Sequence, residues 1–257
     1  MTVAEPHKFL LVSLPRCGST SLMHSLNCHP DISCLHEPFS PSRFCGQYGR
    51  QATDPASLRL TMAEIWRAHN GIKHVWDPSG WPFARHSTLN QCLLLEAEAR
   101  VIFLRRSNVL RRLVSNHMSM QTQIWDAENE ETKNRARTFH YEPLDIPWIR
   151  VQLEEETIAI AQHKQLMLAQ KIPFLELCYE DLYASTLSLS EKLTRLNAIF
   201  AFLGAQVVEE RNFIASVSTF LDPDKRQLNS PETYHLIPGI EKVEEQFGSD
   251  DTGWLFK

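Results

Sequence analysis

Short unbroken apolar runs alternate along this chain with longer stretches in which apolar residues return every three or four positions. The first run is Phe9-Leu10-Leu11-Val12, with Leu14 at its end. A run that is apolar on both faces predicts a buried parallel strand. Leu22, Met23 and Leu26 then repeat at helical spacing, and Asn27-Cys28-His29-Pro30 ends that helix, because the residue before a proline is pushed out of the helical region. Ile32 to Leu35 predicts a short strand that delivers His36 and Glu37 to its end. Residues 40–56, rich in Ser, Pro, Gly and Arg, read as a loop. Leu58, Met62, Ile65, Trp66 and His69 give a helical face stopped by Asn70-Gly71, and Ile72 to Trp76 predicts a second core strand ending at Asp77-Pro78.

The same alternation continues to the end. Leu89, Cys92, Leu93 and Leu95 predict a helix, and Val101-Ile102-Phe103-Leu104 a wholly apolar strand that runs into Arg105-Arg106-Ser107-Asn108. Val109, Leu110, Leu113, Val114, His117 and Met118 mark the next helix, with Ser115 inside it and Arg111 and Arg112 expected on its solvent side. A helix through Val151, Ile158, Ala161, Met167 and Leu168 is ended by Ile172-Pro173, with Glu154, Glu155 and Glu156 expected near its start, where the dipole favours them. Phe174 to Cys178 predicts a strand, and Leu193, Leu196, Ile199, Phe200 and Leu203 a helix closed by Gly204. The alternation of strands and helices predicts an α/β fold: three layers, with a central, mainly parallel sheet flanked by helices. The expectation is one domain over 1–257, in which about 121–150, a polar and then aromatic stretch, is long for a plain connection.

Composition narrows the function classes. With 257 residues, 43% hydrophobic and 22% charged, the chain is long enough for a substantial core. A net charge of −5 gives no basic footprint for nucleic acid. No apolar run approaches the roughly 20 residues of a membrane helix, and the polar start MTVAEPHK has no signal-peptide pattern. The six cysteines form no C-x-x-C pair, which predicts free thiols in a reducing cytoplasm and no metal site.

Chemistry concentrates in Pro15-Arg16-Cys17-Gly18-Ser19-Thr20-Ser21, between the first strand and the first helix. The first amides of a helix have no partner inside it, and the helix dipole adds partial positive charge there. Gly18 lets backbone approach an anion, the three hydroxyls donate, and Arg16 offers a fixed fork of charged donors. The nucleotide-triphosphatase loop G-x-x-x-x-G-K-[ST] does not match, since neither its first Gly nor its Lys is present. PRCGSTS instead resembles the 5′-phosphosulfate loop of sulfotransferases that use 3′-phosphoadenosine-5′-phosphosulfate (PAPS), with Arg16, Cys17, Gly18, Ser19 and Thr20 in the family's order.

Three further stretches extend the resemblance, in its bacterial and carbohydrate-sulfotransferase form. HPDISCLHEP is similar to a segment whose Glu is proposed as general base, which implies that role for Glu37 with His36 as backup. GIKHVWD looks like the family's G-x-K strand, which implies that Lys73, His74 or Asp77 lines the acceptor pocket. LRRSNVLRRLVS resembles the Arg-and-Ser motif that grips the 3′-phosphate. The commonest family spacing is eight residues; here Ser115 lies ten after Arg105 and nine after Arg106, and the strand-end position favours Arg105. A basic loop near the C-terminus offers Lys225 and Arg226 to the same phosphate.

The resemblance implies sulfuryl transfer from PAPS to a hydroxyl or amine of a small-molecule or carbohydrate acceptor, with 3′-phosphoadenosine-5′-phosphate as product and no metal. Arg16 stabilises charge rather than donating a proton, since a guanidinium holds its proton at neutral pH. Two rivals stand beside it: a metal-dependent small-molecule kinase with a degenerate loop, and a non-catalytic PAPS-binding module. The resemblance also implies a mobile flap over the acceptor at about 121–150, but no motif in 40–56 or 121–150 selects the acceptor, and none sets the oligomeric state.

Overall fold

In a computed structural model, residues 6–41, 47–83, 86–126, 129–207, 210–222 and 228–257 are described. Five strands form one sheet in which every neighbouring pair is parallel: β1 (Phe9–Ser13), β2 (Cys34–His36), β3 (Gly71–Val75), β4 (Arg100–Arg105) and β5 (Phe174–Cys178), in the order β2-β3-β1-β4-β5. β1 lies at the centre, and all five of its residues are buried. This is why it carries no polar alternation: helices cover the sheet.

The helices are α1 (Ser19–Asn27), α2 (Gln47–Gln51), α3 (Pro55–Ile65), α4 (Leu89–Glu96), α5 (Val109–Thr122), α6 (Glu130–Arg137), α7 (Ile146–Ala169), α8 (Tyr179–Tyr183), α9 (Leu189–Leu203), α10 (Arg211–Leu221), α11 (Pro231–Tyr234) and α12 (Ile240–Phe247). The main core joins the strands to α1, α3, α4, α9 and α10. A second core joins α5 to Tyr141, Leu144 and Ile149, to α11 and α12, and to the chain end at Leu255. Among the described residues no helix is long and apolar enough to cross a membrane.

Several expectations shift. β2 begins two residues later than Ile32. The loop expected over 40–56 contains α2 and the start of α3, where Asp54 caps the Ser57 amide and Pro55 takes the first turn. The stretch 121–150 contains α6 and the beginning of α7. Because α7 starts at Ile146, Glu156 lies well inside the helix and is buried. Arg112 is not on the solvent side of α5: it is 2% exposed, pairs with Glu156 and donates to the Pro15 carbonyl at 3.2 Å. Periodicity alone puts an arginine outside; burial here is set by a carboxylate on another helix.

The topology fixes where a ligand can enter. From β1 the chain passes to β2 on one side of the sheet, and from β4 to β5 on the other. The connections therefore part between β1 and β4, and a crevice opens at the carboxyl ends of those strands.

Candidate functional site

A cleft of about 520 Å³ opens at these strand ends. Its floor is the β1–α1 loop. Gly18 takes the left-handed conformation (φ 81°) as the cap of α1, and no side chain caps the helix. A Cβ at Gly18 would meet Tyr179 Cδ2 at 2.7 Å. Among the described residues the amides of Ser19, Thr20 and Ser21 have no hydrogen-bond acceptor, and all three residues line the cleft. The loop carbonyls are held from outside: Arg112 donates to that of Pro15, and Arg106 to that of Arg16 at 3.4 Å. Cys17 points into the core (1% exposed), where burial pushes its thiol up to about 11. It packs the loop and does not line the cleft.

Arg16 also has a left-handed backbone (φ 65°), a strained choice for a residue with a Cβ. Its Nε donates to Ser115 Oγ at 3.1 Å across 99 residues of sequence, and a terminal nitrogen donates to the Trp125 carbonyl. Burial lowers the affinity of this guanidinium for its proton, Asp126 opposes that shift, and Arg106 adds to it. Ser115 is buried on α5 and also accepts from Asn229 Nδ2 at 3.1 Å. Helical periodicity places Ser115 on the inward face of α5, so the loop and the helix meet.

At the end of β4 the two adjacent arginines separate. Arg105 donates from Nε to Glu176 Oε1 at 2.6 Å, and Lys164 binds the other oxygen of that carboxylate. It does not line the cleft, contrary to the expectation from its strand-end position. Arg106, one step past the strand, turns inward over the Tyr179 ring, 4.6 Å from its centroid. Its Nε is buried without a hydrogen-bond partner among the described residues, as is the Tyr183 hydroxyl, and both residues line the cleft. Buried donors of this kind are rare in a finished fold unless a ligand completes them.

The other wall is built by β2 and β3. Lys73, Val75 and Asp77 line the cleft, as every second residue of a strand should. His74 therefore faces the opposite side, where it bonds Asn90 at 2.8 Å and packs on Phe39 and Phe83. Burial draws its pKa down to about 4. His74, expected from sequence beside Lys73 and Asp77 at the acceptor pocket, does not line this cleft. Lys73 is 1% exposed and donates from Nζ to Thr20 Oγ1 at 3.0 Å, His36 Nε2 at 3.1 Å and Glu37 Oε1 at 2.5 Å. Glu37 has a left-handed backbone (φ 45°), pinned by its amide to the Lys73 carbonyl at 3.1 Å. Burial pushes the Glu37 carboxyl up, but Lys73 and His36 outweigh it and hold the group well below the usual carboxylate range. His36, 3.4 Å from Glu37, does not itself line the cleft.

Of the residues singled out from sequence, the cleft gathers Arg16, Gly18, Ser19, Thr20, Ser21, Glu37, Lys73, Asp77, Arg106 and Ser115. Lys225 and Arg226 lie outside the described residues. Sequence reasoning missed Tyr179, Tyr183, Asn229, Asn116, Trp81 and Trp125 as cleft residues. For Tyr179 a signal existed, since it follows a strand end directly; the rest come from helices and connections whose register no motif sets. Neither a scan against protein-family models nor a search of curated proteins finds a match to this chain.

Proposed function

We propose that the chain is a PAPS-dependent sulfotransferase acting on a small-molecule or carbohydrate acceptor. The observation that carries this reading is the contact between Arg16 and Ser115. These residues belong to two motifs that the sequence treats as independent, the phosphosulfate loop and the 3′-phosphate helix. A nucleotide bearing both a 5′ and a 3′ anion needs both at one cleft. The unpartnered amides of α1 and the buried, unpaired Nε of Arg106 fit the same pair of anions. In this reading the loop amides and Thr20 hold the 5′ side, and Arg106 and Ser115 the 3′ side.

The reaction is in-line transfer, for which positioning and charge stabilisation do most of the work. A bond forms between the acceptor oxygen and sulfur, the bond from sulfur to the bridging oxygen of the 5′-phosphate breaks, and the acceptor proton leaves. Glu37 is ionised and faces the cleft, so it takes that proton. A carboxylate held so low is a weak base, but the acceptor oxygen becomes strongly acidic as it bonds to sulfur, and a weak base then suffices. Lys73 keeps Glu37 ionised and, through Thr20, adds positive charge on the side where the leaving phosphate develops charge.

The test is calorimetric binding of 3′-phosphoadenosine-5′-phosphate in EDTA, beside ATP with magnesium. Metal-independent binding of the product nucleotide is expected, weakened at least about tenfold (about 1.4 kcal/mol) by Arg106→Ala or Ser115→Ala and nearly unchanged by Arg105→Ala. Binding of magnesium-ATP but not of the product nucleotide would replace this reading with a kinase. Nucleotide binding without transfer to any acceptor would leave a binding module.

A further inference from the structure

The cleft carries a carboxylate that the sulfuryl-transfer chemistry does not use. Asp77 follows Lys73 and Val75 on the cleft face, just past the end of β3. Its Oδ1 accepts from Ser79 Oγ at 2.5 Å and from the Trp81 amide at 3.2 Å, which fixes the group in place. Among the described residues it has no cationic partner within 4.0 Å, and Oδ2 accepts no hydrogen bond. The cations of the cleft are engaged elsewhere: Lys73 with Glu37, Arg16 with Ser115 and the Trp125 carbonyl, Arg106 over Tyr179. The same cleft is lined by Trp81, whose amide Asp77 holds, and by Trp125 and Met120. A fixed carboxylate without a cationic partner, in a cleft that tryptophans also line, is the chemistry that holds an organic ammonium.

We propose that the acceptor is an amine-bearing alcohol or phenol, anchored by its protonated or quaternary nitrogen on Asp77 against Trp81 and Trp125. This deepens the sulfotransferase reading and rests on it for the transfer step, whereas the ammonium anchor stands on the Asp77 geometry alone. An ammonium has no lone pair to attack sulfur. The attacking atom is therefore a hydroxyl oxygen: its bond to sulfur forms, the sulfur bond to the 5′-phosphate oxygen breaks, and its proton passes to Glu37. The product is a sulfate ester whose amine is unchanged.

The experiment compares pairs that differ in charge but little in shape: tyramine with 4-ethylphenol, glucosamine with glucose, and choline with 3,3-dimethylbutan-1-ol. Binding to the full chain is measured by calorimetry with and without 3′-phosphoadenosine-5′-phosphate, and products formed from PAPS are read by mass spectrometry. In at least one pair the cation is expected to bind about tenfold tighter than its neutral partner, and Asp77→Asn to bring the two within about twofold. Product nucleotide affinity reports whether that variant is folded, and Trp81→Leu gives a second variant that narrows the same gap. Equal affinity within every pair, or a preference that survives Asp77→Asn, overturns the anchor. Sulfation of the nitrogen overturns the assignment of the hydroxyl as nucleophile. Nucleotide binding without cation preference defeats this inference and leaves the sulfotransferase reading intact; cation preference without nucleotide binding does the reverse.

Discussion

Lys73 has three protons on Nζ and three acceptors in reach, on Thr20, His36 and Glu37. In sequence the run Gly71-Ile72-Lys73-His74-Val75 offers Lys73 only as one of three candidates for an acceptor pocket, beside His74 and Asp77, and nothing in it pairs the lysine with Glu37. Only the arrival of β2 beside β3 and of α1 above them gives the ammonium its partners. Breaking such a buried pair leaves an uncompensated charge, so Lys73→Met should cost about 3–5 kcal/mol in urea unfolding. Adding Glu37→Gln should restore part of that loss, since the stranded carboxylate is then gone. The sign of the pH effect follows from Glu37. Its folded pKa is depressed, so its contribution is complete above the ordinary carboxylate range and is lost as pH falls through and below that range. Stability curves from neutral pH down to acid should lose less in Glu37→Gln than in the parent. The same residue scale explains why Arg106 and not Arg105 serves the cleft. One position turns a side chain from the Glu176 side of β4 to the Tyr179 side, and the two identities are the same in sequence.

At the scale of elements, the β1–α1 loop is held by what packs behind it. Arg112 on α5 ties Glu156 of α7 to the Pro15 carbonyl, joining two helices to the floor of the cleft. Arg112→Met should destabilise by about 3–5 kcal/mol in chemical unfolding, because Glu156 would remain buried and unpaired. Gly18 was legible as a loop glycine, and the structure adds two reasons for it: its left-handed φ and the Tyr179 ring where a Cβ would lie. Gly18→Ala should cost about 1–2 kcal/mol from backbone conformation alone and more from the ring contact, read as a lowered Tm. Element existence was legible because buried strands need unbroken apolar runs: β1, β4 and β5 fall where Phe9, Val101 and Phe174 begin theirs, or within one residue. The early start of α7 was not, since the polar and aromatic residues before Val151 mask the first turn, which Pro147 opens. Burial of Arg112 was hidden for a different reason: its partner is 44 residues away.

For the whole molecule, the order β2-β3-β1-β4-β5 sets a crevice where the connections from β1 and β4 diverge. It brings residues 16, 37, 73, 106 and 115 to one cleft. A ligand that bridges these elements binds only the folded state, so 3′-phosphoadenosine-5′-phosphate at about a hundred times its Kd should add about 2.7 kcal/mol to unfolding, with Tm rising equally in EDTA and in magnesium. Local patterns by themselves determined the α/β alternation, the parallel sense of the sheet and the strand-to-helix turns at Arg16 and Arg105. These depend on neighbours a few positions apart, which the chain states directly. Tertiary structure alone decided which arginine enters the cleft, that His74 faces away, that Lys73 pairs with Glu37, and that Asp77, Trp81 and Trp125 line one cavity. Each of these is fixed by strand register or by contacts between elements distant in sequence. A one-residue change of register reverses the face on which a side chain stands.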